Sequence, residues 1–477
     1  MSRINTNVAS LYAQQGLAQS QQSLNTTLQR LSTGLRINSG ADDPAGLIAS
    51  QQLKAEMTGI SQAVSNSQRA NNVIATAEGA LNEVSSLLQS VKGLVVQAAN
   101  TGAMSADEIA ANQLQLDSAV QSITRISETT TFAGLHLIDG SLSYLTSGLD
   151  SNAIGALDIS QANLGTNTSM PVQVNVLTSA QQANLEFTAS SIAKSVTLEV
   201  TGNNGTQTLT FTSGTAASAI AYAINTNSDS TGVVAKMNNT ANAASGIAFS
   251  SSGFGSQSFV SVQAQTGTFA TTDTKGNSQT RVVGRDAVAT VNGALTVGNG
   301  LELKLNTSSL DLDMTLSNTF GAGKTSFAIT GGGALFQLGA QVASNQQVSI
   351  GIASVAANHL GNADVGFLSD VVTGGSSSLV SGKAAAASQI IDAAINQVSI
   401  LSGRLGAFQA DTLNTNINSL NVALENVTSA NSTIADADFA AETANLTRAQ
   451  ILVQAGTTVL STANSAPQTV LALLQGH

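Results

Sequence analysis

Residues 440–474 read AAETANLTRAQILVQAGTTVLSTANSAPQTVLALL. Within them Leu446, Ala449, Val453, Gly456, Leu460 and Ala463 recur at gaps of three and four, and Pro467, Val470 and Leu474 keep the register. That is one apolar row on a helix, with small residues that let a partner backbone come close. Pro467 lacks the N–H for an i→i−4 bond, so a kink or local opening is expected there. No Asp, Glu, Lys or Arg follows Arg448; the other positions carry Gln450, Gln454, Thr457, Thr458, Ser461, Thr462, Asn464 and Gln468. A water-facing helix normally carries charge, and a membrane-spanning one excludes so many amides and hydroxyls. The pattern predicts a helix surrounded by other protein.

The opposite terminus repeats the pattern. No charged residue lies between Arg3 and Arg30. Ile4, Val8 and Leu11 begin one apolar row; Leu17, Leu24, Leu28, Leu31 and Leu35 form another, and a helix over 2–35 is predicted. One bundle joining the two ends satisfies this periodicity; burial only when many copies assemble satisfies it and the missing charge as well.

Composition narrows the function. Of 477 residues, only 9% are charged and 3% aromatic, low for a globular enzyme, and the net charge of −11 argues against nucleic acid or an anionic membrane as partner. With no Cys, disulfides and thiolate metal sites are excluded. The start Met1-Ser2-Arg3-Ile4-Asn5 lacks the apolar core of a secretory signal, and no run of about 18 apolar residues predicts a membrane span.

Along the chain, Asp43 and Pro44 read as the N-cap and first position of a long helix. Its clearest part is Ile74, Ala77, Leu81, Val84, Leu88, Val91 and Val95. Asn100-Thr101-Gly102 breaks it; Ser105 and Glu108 form a capping box for the next helix, whose core face is Ile109, Leu116, Val120 and Ile123. Phe132 to Leu142 reads as a hairpin around Asp139-Gly140. From about Gly165 the period changes to two: Val196, Leu198 and Val200 alternate with Thr197, Glu199 and Thr201, and Asn204-Gly205, Asn292-Gly293 and Asn299-Gly300 mark turns. Ala216 to Asn225 reads as a short helix inside a β-rich insertion at roughly 166–333, with room for two small domains. Phe336 to Ile352 reads as a further hairpin. Helix returns from Ala384 through Ile391, Ile395, Val398, Leu413, Ile417, Leu420, Leu424 and Val427, and Asp436 and Asp438 supply negative charge to the start of the last helix. The fold class is α+β multidomain: long coiled-coil-like helical domains formed by both chain ends, with a β-rich inserted middle.

Two terminal signatures carry a resemblance. Leu31-Ser32-Thr33-Gly34-Leu35-Arg36-Ile37-Asn38-Ser39, then Ala41-Asp42-Asp43, resembles the N-terminal signature of bacterial flagellin. Arg448-Ala449-Gln450-Ile451-Leu452, then Gln454-Ala455-Gly456-Thr457, Pro467-Gln468 and Leu473-Leu474, is similar to its C-terminal signature. Thr131-Phe132-Ala133-Gly134 and Phe336-Gln337-Leu338-Gly339-Ala340 also resemble the family. The likeness covers roughly 1–145 and 334–474; the middle is only loosely similar to insertion modules of longer members.

The resemblance implies a structural subunit that polymerises into the hollow helical flagellar filament used for swimming. Residues 1–43 with 434–477 would form its inner core, 44–165 with 334–433 the tube wall, and 166–333 the surface-exposed insertion. The rows expected to carry subunit assembly are Leu24, Leu28, Leu31 and Leu35; Leu81, Val84, Leu88 and Val91; Leu420 and Leu424; and Leu446, Val453, Leu460 and Leu474. Implied partners are the chain itself, an export chaperone on the C-terminal segment, the type III export apparatus, the filament cap and hook-associated proteins. The implied location is outside the cell, in the filament, without a cleaved signal. Alternatives are a hook–filament junction protein, which has related ends, and a filament subunit whose middle also acts as an adhesin.

Many flagellins also carry a basic-plus-acidic patch that a vertebrate toll-like receptor reads. Here Lys92 and Leu94 are kept, but Ser90 stands where Arg is typical and Gly93 where Glu is typical, so weaker receptor stimulation is expected.

No catalytic constellation stands out, and no cofactor is expected. His136, His359 and His477 lack metal-ligand or triad spacing. Gly321-Ala322-Gly323-Lys324-Thr325 lacks the first glycine of a phosphate loop, where Asn318 stands, and reads as a turn. Asp311 and Asp313 alternate on one strand; a solvated face is favoured over acid–base work.

Overall fold

The structure, a computed structural model, describes residues 6–165, 167–239, 245–362 and 365–475, without the side chains of 467 and 470–475. Among them the α-helices are α1 (Val8–Thr33), α2 (Pro44–Ala98), α3 (Ala106–Thr129), α4 (Ala217–Asn225), α5 (Ser228–Thr231), α6 (Ala384–Ala407), α7 (Thr415–Ala435) and α8 (Phe439–Gln475). The chain divides into two units, one of residues 1–68, 337–342 and 412–477, the other of 69–336 and 343–411.

In the first unit, α1 starts where the Asn7 side chain accepts from the Ser10 N–H, and it stops at Gly34, whose φ of 70° is left-handed. It is therefore shorter than the predicted 2–35, of which 2–5 lie outside the described residues. Leu35 falls past the stop and forms a β-bridge with Asp436, so it leaves the helical row assigned to it. The Asp43 carboxylate accepts from the Gly46 N–H at 2.9 Å, capping α2 as expected. Hydrogen bonds from the Ser39 N–H and hydroxyl and the Asn38 N–H hold the Asp42 carboxyl below its usual range. Asp438 accepts from the Ala440 and Ala441 N–H groups and caps α8. Asp436 instead ends α7 in an extended conformation, its N–H still donating to the Ser432 carbonyl while the flanking Ala435 carbonyl and Ala437 N–H make the bridge. The helix runs through Pro467 to Gln475 without the expected interruption.

The second unit holds the later part of α2, α3 and α6. Ser105 and Glu108 make the predicted capping box. The short hairpin pairs Thr131–Phe132 with Leu135–His136. Its turn is Ala133-Gly134, both at positive φ, not Asp139-Gly140. The Asp139 carboxylate accepts from the Ser141 N–H, which turns the chain locally and leaves Leu137 and Ile138 buried. Between α6 and α7, Phe408–Asn414 wind as a π-helix, an inserted turn that helical periodicity does not reveal.

After that hairpin, the strands of the inserted region begin at Tyr144, ahead of the expected 166, and the hairpin of Ala334–Gln337 with Gln347–Ile350 follows the insertion. Two antiparallel sheets enclose one core: Ala294–Leu295, Val288–Val291, Met170–Thr178, Gly323–Gly332 and Tyr144–Ser147 in one, Val297–Asn299, Glu302–Asn306, Leu310–Leu316 and Ile154–Ala162 in the other. Gln181 and Arg285 pair where the chain leaves this core and returns. Between them a second core forms from two four-stranded sheets and α4, with Phe187 stacked on Phe269 at 4.1 Å. Asn292 and Gly293, at φ 50° and 87°, make the turn expected there. Lys324 lies on the Gly323–Gly332 strand, so the Gly321–Thr325 tract is a strand entry.

Candidate assembly surface

α1 and α8 run antiparallel as one pair: Arg30 meets Glu442 near one end and Ser10 meets Asn464 near the other. Small residues allow the approach. A Cβ added at Gly456 would lie 3.3 Å from the Leu17 Cδ1 and 3.6 Å from its Cβ. The covered row on α1 includes Ser10, Ala13, Leu17, Ser20, Leu24, Thr27 and Leu31; on α8 it is Leu446, Ala449, Val453, Gly456, Leu460 and Ala463. Of these only Ser10, Thr27 and Ala449 are buried; the others remain partly open.

The row on α1 differs from the predicted one. Thr27 faces α8 and Leu28 is turned out, 46% exposed. The three-and-four alternation from Leu17 through Leu24 reaches Thr27 and then Leu31, so Leu28 falls beside the row. Val8, Leu11 and Tyr12 on α1 and Ile451, Leu452 and Val459 on α8 are each half exposed or more. The sequence signal for this outer set is the Val8–Leu11 row and the apolar pair Ile451-Leu452, with no charge nearby after Arg448.

Polar groups tie the pair. The Asn7 Nδ2 donates to the Ala463 carbonyl and the Ser10 hydroxyl to the Asn464 Oδ1, both at 2.7 Å. The Arg30 Nη1 stands 3.2 Å from the Glu442 Oε1. In the same unit, α7 leaves Leu420 and Leu424 partly covered, and the Ser50 hydroxyl donates to the Asn431 Oδ1 at 2.7 Å. Leu474 lies on α8, but its side chain is outside the described residues.

In the second unit the predicted assembly residues Leu81, Val84, Leu88 and Val91 have no exposed surface. They are core of the protomer and leave no surface for a second copy to touch. The sequence period marks a covered face; it does not say whether the same chain or another covers it. Ser90 is exposed and donates to the Ser86 carbonyl, and Leu94 is partly covered. Lys92 is occupied: its Nζ lies 2.5 Å from the Asp392 Oδ2 and donates to the Ser388 hydroxyl at 2.7 Å. Gln113 reaches the Val371 carbonyl and the Leu379 N–H, joining α3 to the chain before α6.

The same unit carries a cluster around Asp311. Burial and the facing Asp313 and Asp158 carboxylates push the Asp311 carboxyl up, against the pull of Arg404 and Lys304. Arg404 on α6 bonds to Asp158, to the Ser160 hydroxyl and weakly to the Gly351 carbonyl. Asp313 pairs with Lys304 across the strands at 3.6 Å. Asp158 and Asp313 thus each have a basic partner, Arg404 and Lys304, while Asp311 sits beside them half-buried in the electrostatic reach of the same two cations. Among the described residues, no group of three or more His, Cys, Asp or Glu is placed to hold a metal, and no helix is long and apolar enough to cross a membrane.

Family comparison agrees with both ends of the chain. Residues 4–143 match the bacterial flagellin N-terminal helical region, and 388–474 match the bacterial flagellin C-terminal helical region. A B-type flagellin of Pseudomonas aeruginosa is 33% identical over 99% of each chain. A flagellin of Salmonella choleraesuis is 32% identical, again over 99% of each. Among solved structures, the flagellar junction protein FlgL of Legionella pneumophila overlays with a TM-score of 0.28 at 11% identity, covering 81% of this chain and 99% of that one.

Proposed function

The chain belongs to the bacterial flagellin family, and on that premise we propose how its surfaces serve a polymer. It is a structural subunit of the flagellar filament, used for motility, and not an enzyme. The observation that carries the further reading is the α1–α8 pair: a charge-poor two-helix element whose apolar rows stay partly open. An interface that repeats head to tail without closing gives an open helical polymer. Each apolar side chain fully covered there contributes about 1.5–3 kcal/mol. Ordering the helices alone costs about 1–2 kcal/mol per residue, with little burial to offset it.

Residues 1–43 with 434–477 are then the filament core, 44–165 with 334–433 the wall, and 166–333 the outer surface. Leu24, Leu28, Leu31, Leu420, Leu424, Leu446, Val453, Leu460 and Leu474 make direct or bordering assembly contacts, and Leu35 holds the bridge. Leu81, Val84, Leu88 and Val91 act indirectly, by keeping the wall helices rigid. The chain reaches the outside of the cell through the type III apparatus with a chaperone on its C-terminal segment, and it meets the cap at the tip and hook-associated proteins at the base. Neither a junction role nor an adhesive middle gains support from the relatives.

Seeded monomer viewed by electron microscopy tests the assembly reading. Long filaments from the full chain, and none after removal of 440–475, are expected; filaments from the truncated chain would refute it. Limited proteolysis of dilute monomer should cut α1 and α8 before α2 and α3; equal protection would count against it. For Ser90, Lys92 and Leu94, reduced toll-like-receptor stimulation follows from the missing donor and the occupied Lys92; full potency in a reporter-cell assay would remove that proposal.

A further inference from the structure

The seam between α1 and α8 is nearly uniform along its length. Ala13, Leu17, Ser20 and Leu24 face Val453, Gly456 and Leu460, and a slip of one heptad would set Leu24 where Leu17 now lies against Gly456. Apolar and small partners of this kind hardly distinguish the two registers. The distinction has to come from polar groups, which lose a specific partner when displaced.

Those groups are unequal at the two ends. Near the chain's return, the Gly34 carbonyl accepts from the Ala437 N–H at 2.9 Å and the Ala435 carbonyl from the Arg36 N–H at 2.8 Å. The Arg36 guanidinium donates twice more to the Ile434 carbonyl. One turn away stands Arg30–Glu442, the one ion pair joining α1 to α8 among the described residues, with the Glu442 side chain only 10% exposed. The Arg30 Nε and Glu442 Oε2 have no hydrogen-bond partner, so the Arg30–Glu442 contact is the one direct bond that offsets the burial of these charges. At the far end the ties are two uncharged hydrogen bonds, from Asn7 and Ser10.

We propose that the Gly34–Arg36/Ala435–Ala437 bridge together with Arg30–Glu442 is a clasp that sets the register of the terminal pair, and that α1 and α8 zip from it toward Ser10 and Asn464. The clasp brings together residues about 400 apart in sequence, from the 398-residue separation of Arg36 and Ile434 to the 412 of Arg30 and Glu442. Once it closes, every later contact closes only a short loop. Started from the other end, pairing would order two helices before gaining a charged contact. The inference concerns the protomer and stands independently of how copies pack.

A disulfide reports the register directly. The chain has no Cys, and the 3.6 Å between the Leu17 Cβ and a Cβ built at Gly456 is within the range for a disulfide. In the full-length chain carrying Leu17→Cys and Gly456→Cys, the cross-linking rate under oxidised glutathione measures in-register pairing even when the pair opens often. Adding Glu442→Leu should slow cross-linking at least tenfold. Arg30→Glu should do the same alone, and Arg30→Glu with Glu442→Arg should return the rate to within threefold of the parent, which a general loss of folding would not allow. Adding Asn464→Ala at the far end should slow it less than threefold. The pair Leu24→Cys with Gly456→Cys, one heptad out, should cross-link at least tenfold more slowly than the in-register pair. The proposal is overturned if Glu442→Leu leaves the rate within threefold, if the swap fails to recover it, if Asn464→Ala slows it as much as Glu442→Leu, or if the shifted pair reacts as fast as the native one.

Discussion

The rows on α2 and α8 share one spacing and differ in what covers them. On α2, Ile74, Ala77, Leu81, Val84, Leu88, Val91 and Val95 are at most 1% exposed. On α8, Leu446, Val453, Gly456 and Leu460 stay partly open although α1 lies along them. The difference lies in the number of neighbours. A single antiparallel partner covers one stripe; a closed core needs elements on several sides. The α2 row is finished inside the protomer. The α8 row is built from smaller residues, and its flanks carry Ile451, Leu452 and Val459 without a charge to hold them in water. A helical period therefore reports that a face is covered, and the chemistry of the remaining faces reports by whom.

The largest test of this contrast is Leu88→Ala. It should cost the lone chain about 2–5 kcal/mol, the range for truncating a fully buried leucine, read by denaturant unfolding; a loss below about 1 kcal/mol would mean that the α2 row is not a finished core. Next, Thr458→Glu places a charge on an exposed position of α8. Unfolding of the monomer should hardly change, because the site faces water in the protomer. The concentration needed for polymerisation should rise at least tenfold, because the uncompensated charge must be desolvated in the polymer. Equal polymerisation of both chains would place that face in solvent and end the contrast.

Smaller effects sharpen the picture of the second unit. Ser105→Ala removes the reciprocal cap of α3 and should cost about 1 kcal/mol, again in denaturant unfolding, with polymer formation unchanged at temperatures well below melting. The smallest effect is expected at Asp311. Its carboxyl is raised in the folded chain, so near neutral pH its ionised form opposes folding. Below the ordinary carboxylate pKa of about 3.9 it is protonated folded and unfolded alike, and the penalty vanishes. Asp311→Asn should therefore raise the melting temperature modestly near pH 7 and leave it unchanged near pH 3; a lower melting temperature at pH 7 would mean that the pull of Arg404 and Lys304 dominates.

Local rules made much of this molecule readable. Asp43-Pro44, Ser105 with Glu108, and Asn292-Gly293 each satisfy or bend the backbone within a few residues, and each does in the structure what its chemistry requires. Most of the misplaced features depended on distant partners. Leu35 left its row because Asp436 pairs with it, and Leu28 turned outward because Thr27 meets α8. The hairpin turn fell at Ala133-Gly134, where the flanking strand register required positive φ at both residues, although Asp139-Gly140 had the commoner turn composition. The early strands from Tyr144 were hidden because their pairing partners lie beyond residue 300.

The sequence by itself determined the helical ends, their small-residue seam, their missing charge and the family they belong to. These properties depend on residue type and spacing along one segment. Only the tertiary structure decided that Leu81 to Val91 are spent inside the protomer, that Lys92 is held by Asp392, and that Arg30 and Glu442 meet. Such pairings join segments hundreds of residues apart, and periodicity along a segment carries no information about its partner's position.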